Sequence, residues 1–203
     1  MIVSASSYAQ TKLYVHPNAD EYVKNTKKIV ILPFKVQIKL KPKQLKDVTP
    51  KQLEQMNKDE ALSIQKAMYG WFLTRKKRGE LLVEVQNPTE TNALLKKNRI
   101  NLFEIGDVSA KRLGQILGAE AIIMGTYESS KPMTDAVGVG LTLLTGGLFN
   151  SNSATMNMDI MNAKDNELVV NYLKKVVGGL GMNSDDLINI LMRKASRRIP
   201  YTE

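Results

Sequence analysis

The run Ile29-Val30-Ile31-Leu32-Pro33-Phe34 constrains the fold more than any other stretch of this chain. Consecutive apolar residues rich in β-branched side chains leave no polar face, so they predict a strand buried on both sides. Pro33 cannot donate a ladder hydrogen bond, so the strand should end there or meet a sheet edge. Beyond it, Val36, Ile38 and Leu40 alternate with Lys35, Gln37, Lys39 and Lys41. That period of two predicts a half-exposed strand or extended arm with a lysine face.

The rest of the chain supplies covering layers and further strands. Pro42 to Asn57 reads as a loop with a short helical turn. From Lys58 to Lys76, Ala61, Leu62, Ile64, Ala67, Met68, Trp71 and Phe72 recur at helical spacing, and Gly79 is a helix stop. Leu81 to Val85 reads as the second strand. Asn87-Pro88-Thr89-Glu90 has a capping residue, a proline at the first helical position and an acid at the capping-box position. The helix it opens carries Ala93, Leu94 and Leu95. A short helix from about Val108 to Leu117 ends at Gly118, and Ala121 to Gly125 reads as a third strand. Strand, helix, strand, helices, strand implies right-handed crossovers and a parallel sheet portion. The pattern then changes. Ala154, Met156, Met158 and Ile160 alternate with polar residues, Ala163 to Asn166 is turn-like, and Leu168 to Leu173 follows. This predicts a C-terminal antiparallel hairpin. A last helix, from about Asp185 to Arg197, is capped by Asn183 or Ser184. The expected fold class is α/β, with a mixed sheet flanked by helices.

The chain of 203 residues is long enough for one substantial core. Residues 1–19 read as a signal-peptide remnant and flexible tail, and 20–203 as a single domain. Ser7-Tyr8-Ala9 has the small-x-small shape that signal peptidase accepts, with cleavage after Ala9. The other reading of this stretch is an ordinary disordered N-terminus.

The absence of cysteine removes thiol catalysis, iron–sulfur clusters, cysteine zinc sites and disulfides. The single histidine, His16, cannot by itself complete a triad or a multi-ligand metal site. Asp185 and Asp186 are adjacent but fall in a helix first turn, where acids meet the helix dipole. Gly138-Val139-Gly140 lacks the third glycine of a dinucleotide loop, and Gly146-Gly147 precedes no Lys-Ser/Thr pair. No catalytic, cofactor-binding or metal-ligating residues are therefore assigned, and no small-molecule substrate is evident.

Two stretches remain as candidate contact surfaces. Val137, Val139, Leu141, Leu143, Leu144, Leu148 and Phe149 make the glycine-rich segment 136–149 too apolar for a free loop. It either packs on its own domain, is covered by a partner, or inserts at a membrane interface. The second is basic. The net charge is +9, yet residues 81–203 hold equal numbers of acidic and basic side chains, so the excess sits in the first 80 residues. Lys35, Lys39, Lys41 and Lys43, and then Arg75, Lys76, Lys77 and Arg78, form a candidate surface for an anionic partner. The bland alternative is a solvated, solubilising face. Nucleic acid is disfavoured, because aromatics are not interleaved with the lysines.

Three segments together resemble a family. A strand ending in Leu32-Pro33-Phe34 is followed by a long helix and Leu81-Leu82-Val83-Glu84-Val85. Then comes the stretch Ala110 to Thr126, with Leu117-Gly118-Ala119-Glu120-Ala121-Ile122-Ile123-Met124-Gly125 at its centre. These resemble the CsgG-like group of bacterial envelope proteins, which includes the N-terminal domain of TolB and the LpoB group. The turn around Asn162-Ala163-Lys164-Asp165-Asn166-Glu167 is similar to that family's hairpin turn, with Asn162 in place of the acid. The resemblance implies a periplasmic or outer-membrane-associated, non-enzymatic scaffold acting through an envelope protein or self-association. Peripheral membrane contact is a further expectation, and a cytoplasmic nucleic-acid binder is the alternative.

Overall fold

The computed structural model describes residues 11–40, 42–46, 48–130, 153–177 and 184–202. They form seven strands and six α-helices: β1 (Thr11–Val15), α1 (Ala19–Lys24), β2 (Lys28–Ile31), β3 (Lys35–Ile38), α2 (Pro42–Leu45) and α3 (Pro50–Lys77) come first. β4 (Glu84–Val85), α4 (Pro88–Lys97), a 3-10 turn (Ile105–Asp107), α5 (Ala110–Leu117), β5 (Ala121–Ser129), β6 (Ser153–Asn162), β7 (Leu168–Val177) and α6 (Ser184–Ala195) complete the order. The fold is the expected α/β class. All seven strands join one mixed sheet in the order β1-β7-β6-β5-β2-β4, with β3 also paired to β5. β2, β3 and β4 make the parallel pairs, whereas β5-β6, β6-β7 and β1-β7 are antiparallel. Among the described residues no helix is long and apolar enough to cross a membrane.

β2 and β3 are two halves of one interrupted strand along the same side of β5. Ile31 pairs with Ile123 and Lys35 with Thr126, so the three residues Leu32, Pro33 and Phe34 on one side face two, Met124 and Gly125, on the other. The extra residue is a bulge at Leu32-Pro33-Phe34, which is where a proline without an N–H belongs. Gln65 of α3, fully buried, donates its amide to the Ile31 carbonyl at 2.7 Å. A buried carbonyl beside a bulge thus keeps a partner.

Each sheet face has its own core. On one face Ile29, Ile31, Ile123, Met158 and Tyr172 pack against Ile64, Met68 and Phe72 of α3 and Leu191 and Met192 of α6. On the other, Val30, Leu32 and Ile122 pack against Leu95, Leu113 and Leu117 of α4 and α5. Gly114 and Gly125 are glycines because of close approach. A Cβ on Gly125 would lie 2.1 Å from the Asn157 carbonyl oxygen of β6, and one on Gly114 would meet the Ala163 Cβ at 2.4 Å.

Several boundaries differ from the sequence reading. The long helix begins at Pro50, not Lys58, because Thr49 and Gln52 form a capping box with Pro50 at the first helical position. The expected box at Asn87 is a simpler cap: Asn87 accepts from the Thr89 N–H at 2.8 Å, and Glu90 lies beside the Gln86 amide instead. The second strand shortens to Glu84–Val85, with Leu81 held only by a bridge to Thr202. β5 continues past Gly125 to Ser129. Thr11–Val15, within the stretch read as tail, forms edge strand β1 through its ladder with β7. His16 closes that strand: its backbone N–H donates to Val169 and its Nδ1 accepts from the Asn18 N–H.

Candidate partner-binding surfaces

The bulge opens a cleft of about 710 Å³ between the first half of α3 and the loop that follows α4. Its floor is the interrupted strand pair, Leu32–Val36 against Met124–Thr126, and Asp159 stands at its edge. Each wall is internally satisfied. Lys58 pairs with Glu54 one turn earlier and lies 5.7 Å from the Phe103 ring centroid. Asn101 donates to Glu104 at 2.8 Å, and Asn171 donates to Asp159 at 2.6 Å. The Lys58 hydrogen bond and charge lower the pKa of the exposed Glu54 carboxyl, keeping it ionised. Such a cleft can receive an extended polypeptide or a side chain. Among the described residues no group of three or more His, Cys, Asp or Glu is placed to hold a metal.

The basic residues singled out from sequence do not form one patch. Lys35 is exposed at the start of β3 and lines the cleft. Lys39, just past β3, makes a 2.5 Å ion pair with Glu128 on the neighbouring strand. Lys41 lies outside the described residues, and Lys43 falls in α2 with its side chain outside them. Arg75 is buried and paired with Glu80, which ties the end of α3 to the chain beyond it. Lys76, Lys77 and Arg78 are exposed in the last turn of α3 and at its cap, where cations favour the negative end of the dipole. The Ile38 N–H donates to Asn57 near the start of α3. Lys76 is nineteen residues further along that helix, about 28 Å at the usual rise. The two basic groups therefore occupy opposite ends of the sheet.

The apolar residues Val137, Val139, Leu141, Leu143, Leu144, Leu148 and Phe149 lie outside the described residues. The roots of their segment are described. β5 and β6 pair without interruption up to Ser129 and Ala154, and the Ser130 N–H donates to the Ser153 carbonyl at 3.1 Å. The Ser153 N–H in turn donates to the Ser130 hydroxyl at 3.0 Å. The two described residues that flank 131–152 are therefore adjacent at this point. The Lys39 N–H donates to the Ser129 carbonyl at 2.8 Å, so the lysine strand ends beside that point. This adjacency joins residues about ninety positions apart, and no sequence signal announced it.

Sequence reasoning missed the cleft, because its residues come from three separate segments with no shared motif. The proline in an otherwise strand-like run was the available signal, since it required a break in the ladder.

No known protein family matches the chain, and no curated protein matches it. Among solved structures it is similar to the PelC dodecamer from Paraburkholderia phytofirmans, with 10% identity, a TM-score of 0.46, and coverage of 92% of this chain and 93% of that one. It is also similar to lipoprotein GNA1162 from Neisseria meningitidis, with 13% identity, a TM-score of 0.41 and coverage of 85% and 95%. The C-terminal domain of LpoB from Salmonella enterica shows 8% identity, a TM-score of 0.33 and coverage of 75% and 82%. At these identities and TM-scores the likeness transfers no residue role to this chain.

Proposed function

We propose that this chain is an exported, non-enzymatic binding or scaffold domain of the bacterial cell envelope, acting through protein–protein contacts. One observation carries the reading: the chain that holds the apolar residues 136–149 departs from Ser130 and returns at Ser153, which are bonded to each other at the last described rung of the β5–β6 ladder. An apolar, glycine-bearing segment between two paired strands is suited to a partner's surface. The exposed cleft residue Lys35, on the strand that ends beside Ser129, adds positive charge at the same end. The sequence resemblance to envelope proteins supports the compartment.

The nucleic-acid alternative is weaker on geometry. Phosphate tracking needs a continuous basic stripe, whereas here Arg75 is buried, Lys39 is paired and the remaining cations are split between opposite ends.

The test is fractionation of the protein expressed from its native gene in its own host, followed by crosslinking of Leu144→Asp against wild type. The expected result is a periplasmic or membrane-associated product whose crosslinked complex disappears in the variant while its Tm is unchanged. A cytoplasmic product retaining Met1 would overturn the compartment. A Leu144→Asp protein that unfolds would show that the segment is core.

A further inference from the structure

β1 is the terminal strand of the sheet on its antiparallel side. A terminal strand presents a row of backbone N–H and C=O groups that is a template for pairing with another chain. The two ends of this sheet differ in how they deal with that row. β4 is only two residues long, and the chain just before it is tied down, with the Leu82 N–H donating to the Tyr201 carbonyl. β1 is five residues long, holds no proline and carries a single charge, Lys12. Leu13, Tyr14 and Val15 are 42%, 45% and 39% exposed, so three of the seven exposed large apolar side chains among the described residues are consecutive here. Single exposed apolar residues are ordinary, whereas a run of them along an edge strand marks a contact.

The ladder with β7 fixes which backbone groups of β1 point outward. The His16 N–H donates to the Val169 carbonyl, in the same register that pairs Val15 with Val170. In an antiparallel pair, successive residues alternate between facing the partner strand and facing away. Tyr14 and Lys12 therefore share the direction of His16, and Thr11, Leu13 and Val15 present their N–H and C=O groups to the outside. Those three residues are symmetric about Leu13. A second β1 laid antiparallel along the first, with a two-fold axis at Leu13, sets Leu13 opposite its own copy and Thr11 opposite Val15 on either side. Every outward group then meets another, which makes about six hydrogen bonds. The same register sets Lys12 opposite Tyr14, so no like charges face each other and each ammonium is placed near an aromatic ring. Leu13 and Val15 lie on the sheet face of Tyr172 and Val170, so their self-contact extends a core that is already there.

We propose that β1 is an interface between two copies of this chain, joined edge to edge by antiparallel β1–β1 pairing centred on Leu13. The contact is isologous, so it closes at a dimer and carries the sheet across the two-fold axis. A foreign strand would meet the same outward groups, but the symmetry of backbone and side chains about Leu13 favours a second copy. The pairing does not use the 136–149 segment and is independent of the compartment.

The test is sedimentation equilibrium of the full chain across a concentration series, with Leu13→Lys beside wild type. Leu13 is an exposed side chain, so the variant should keep its Tm, and this is checked in parallel. The expected result is a monomer–dimer equilibrium whose Kd rises by at least about tenfold in Leu13→Lys, where two ammoniums oppose each other. The chain has no cysteine, so Leu13→Cys gives a second, independent readout. Directly paired Cα atoms about 5.5 Å apart lie within disulfide range. Mild oxidation should therefore link Leu13→Cys into a dimer and leave Leu82→Cys, equally exposed near β4 at the opposite end of the sheet, monomeric. Leu144→Asp should leave the dimer unchanged. A wild-type chain that stays monomeric, with Leu13→Cys linking no faster than Leu82→Cys, overturns the pairing and leaves the edge to another protein's strand. A dimer that survives Leu13→Lys overturns it as well, because self-association then uses another surface.

Discussion

The two halves of the sheet solve burial in different ways. In the parallel half, β2 and the first residues of β5 are buried on both faces, between α3 on one side and α4 with α5 on the other. In the antiparallel half, β6 alternates strictly between buried and half-buried positions. Its half-buried side bears Asn157 and Asp159, both joined to Asn171 of β7. β1 then ends the sheet with Leu13, Tyr14 and Val15 all exposed. Stability should therefore be concentrated where two layers meet the sheet, and contact surface where only one does.

The largest expected effect separates these halves directly. Ile122→Ala, in the doubly covered part of β5, should cost about 2–5 kcal/mol in urea unfolding. Leu173→Ala, on the half-buried face of β7, should cost about 1 kcal/mol or less, since little apolar area leaves water there. Equal losses would mean that the second face of β7 is as well packed as that of β5. A somewhat smaller effect is expected at the seam between the halves. Gly125→Ala should destabilise by about 1–3 kcal/mol, because its Cβ meets the backbone carbonyl of Asn157 and one strand must move. A Tm unchanged in that variant would show that β5 and β6 can separate locally without cost.

The smallest effect is a pH dependence set by Lys174 and two buried tyrosines. The Lys174 pKa is lowered from 10.5, so the folded chain releases this proton before the unfolded chain does. Its penalty is full below the folded pKa and fades as pH rises towards 10.5. The opposite sign holds for Tyr172 and Tyr201, whose pKa values burial raises above 10.0. They keep their protons when the unfolded chain ionises, so stability falls as pH climbs past 10.0. Unfolding curves should thus gain stability on the alkaline approach to 10.0 and lose it beyond, with the gain absent in Lys174→Met. A gain of the same size in that variant would assign it to another group.

The parallel half was the easier to read. β2 and the start of β5 are continuous apolar runs, and Gly118 adopts the left-handed conformation, φ 64°, expected of a helix stop. The β6–β7 hairpin was equally legible from alternation. What stayed hidden depended on partners distant in the chain. β1 buries little side-chain area and is held by its ladder to β7, so it leaves no apolar period to find. The start of α3 was missed although Thr49-Pro50-Lys51-Gln52 carries the signal of a proline-led capping box, because the first turns hold few apolar residues. Charge was the most misleading feature. Arg75 and Lys76 are adjacent in sequence, but one is buried against Glu80 and the other points to water. Helix rotation alone separates them.

The sequence by itself determined the α/β class, the order of the main strands and helices, and the change from parallel to antiparallel pairing. These follow from local periodicity, which each segment carries within itself. Only the tertiary structure decided the bulge and its cleft, the meeting of Lys39 with the root of the apolar segment, and the burial of Lys174 between Tyr172 and Val176. Each of these joins residues from separate elements, and their proximity depends on strand register and helix placement, which no single segment encodes.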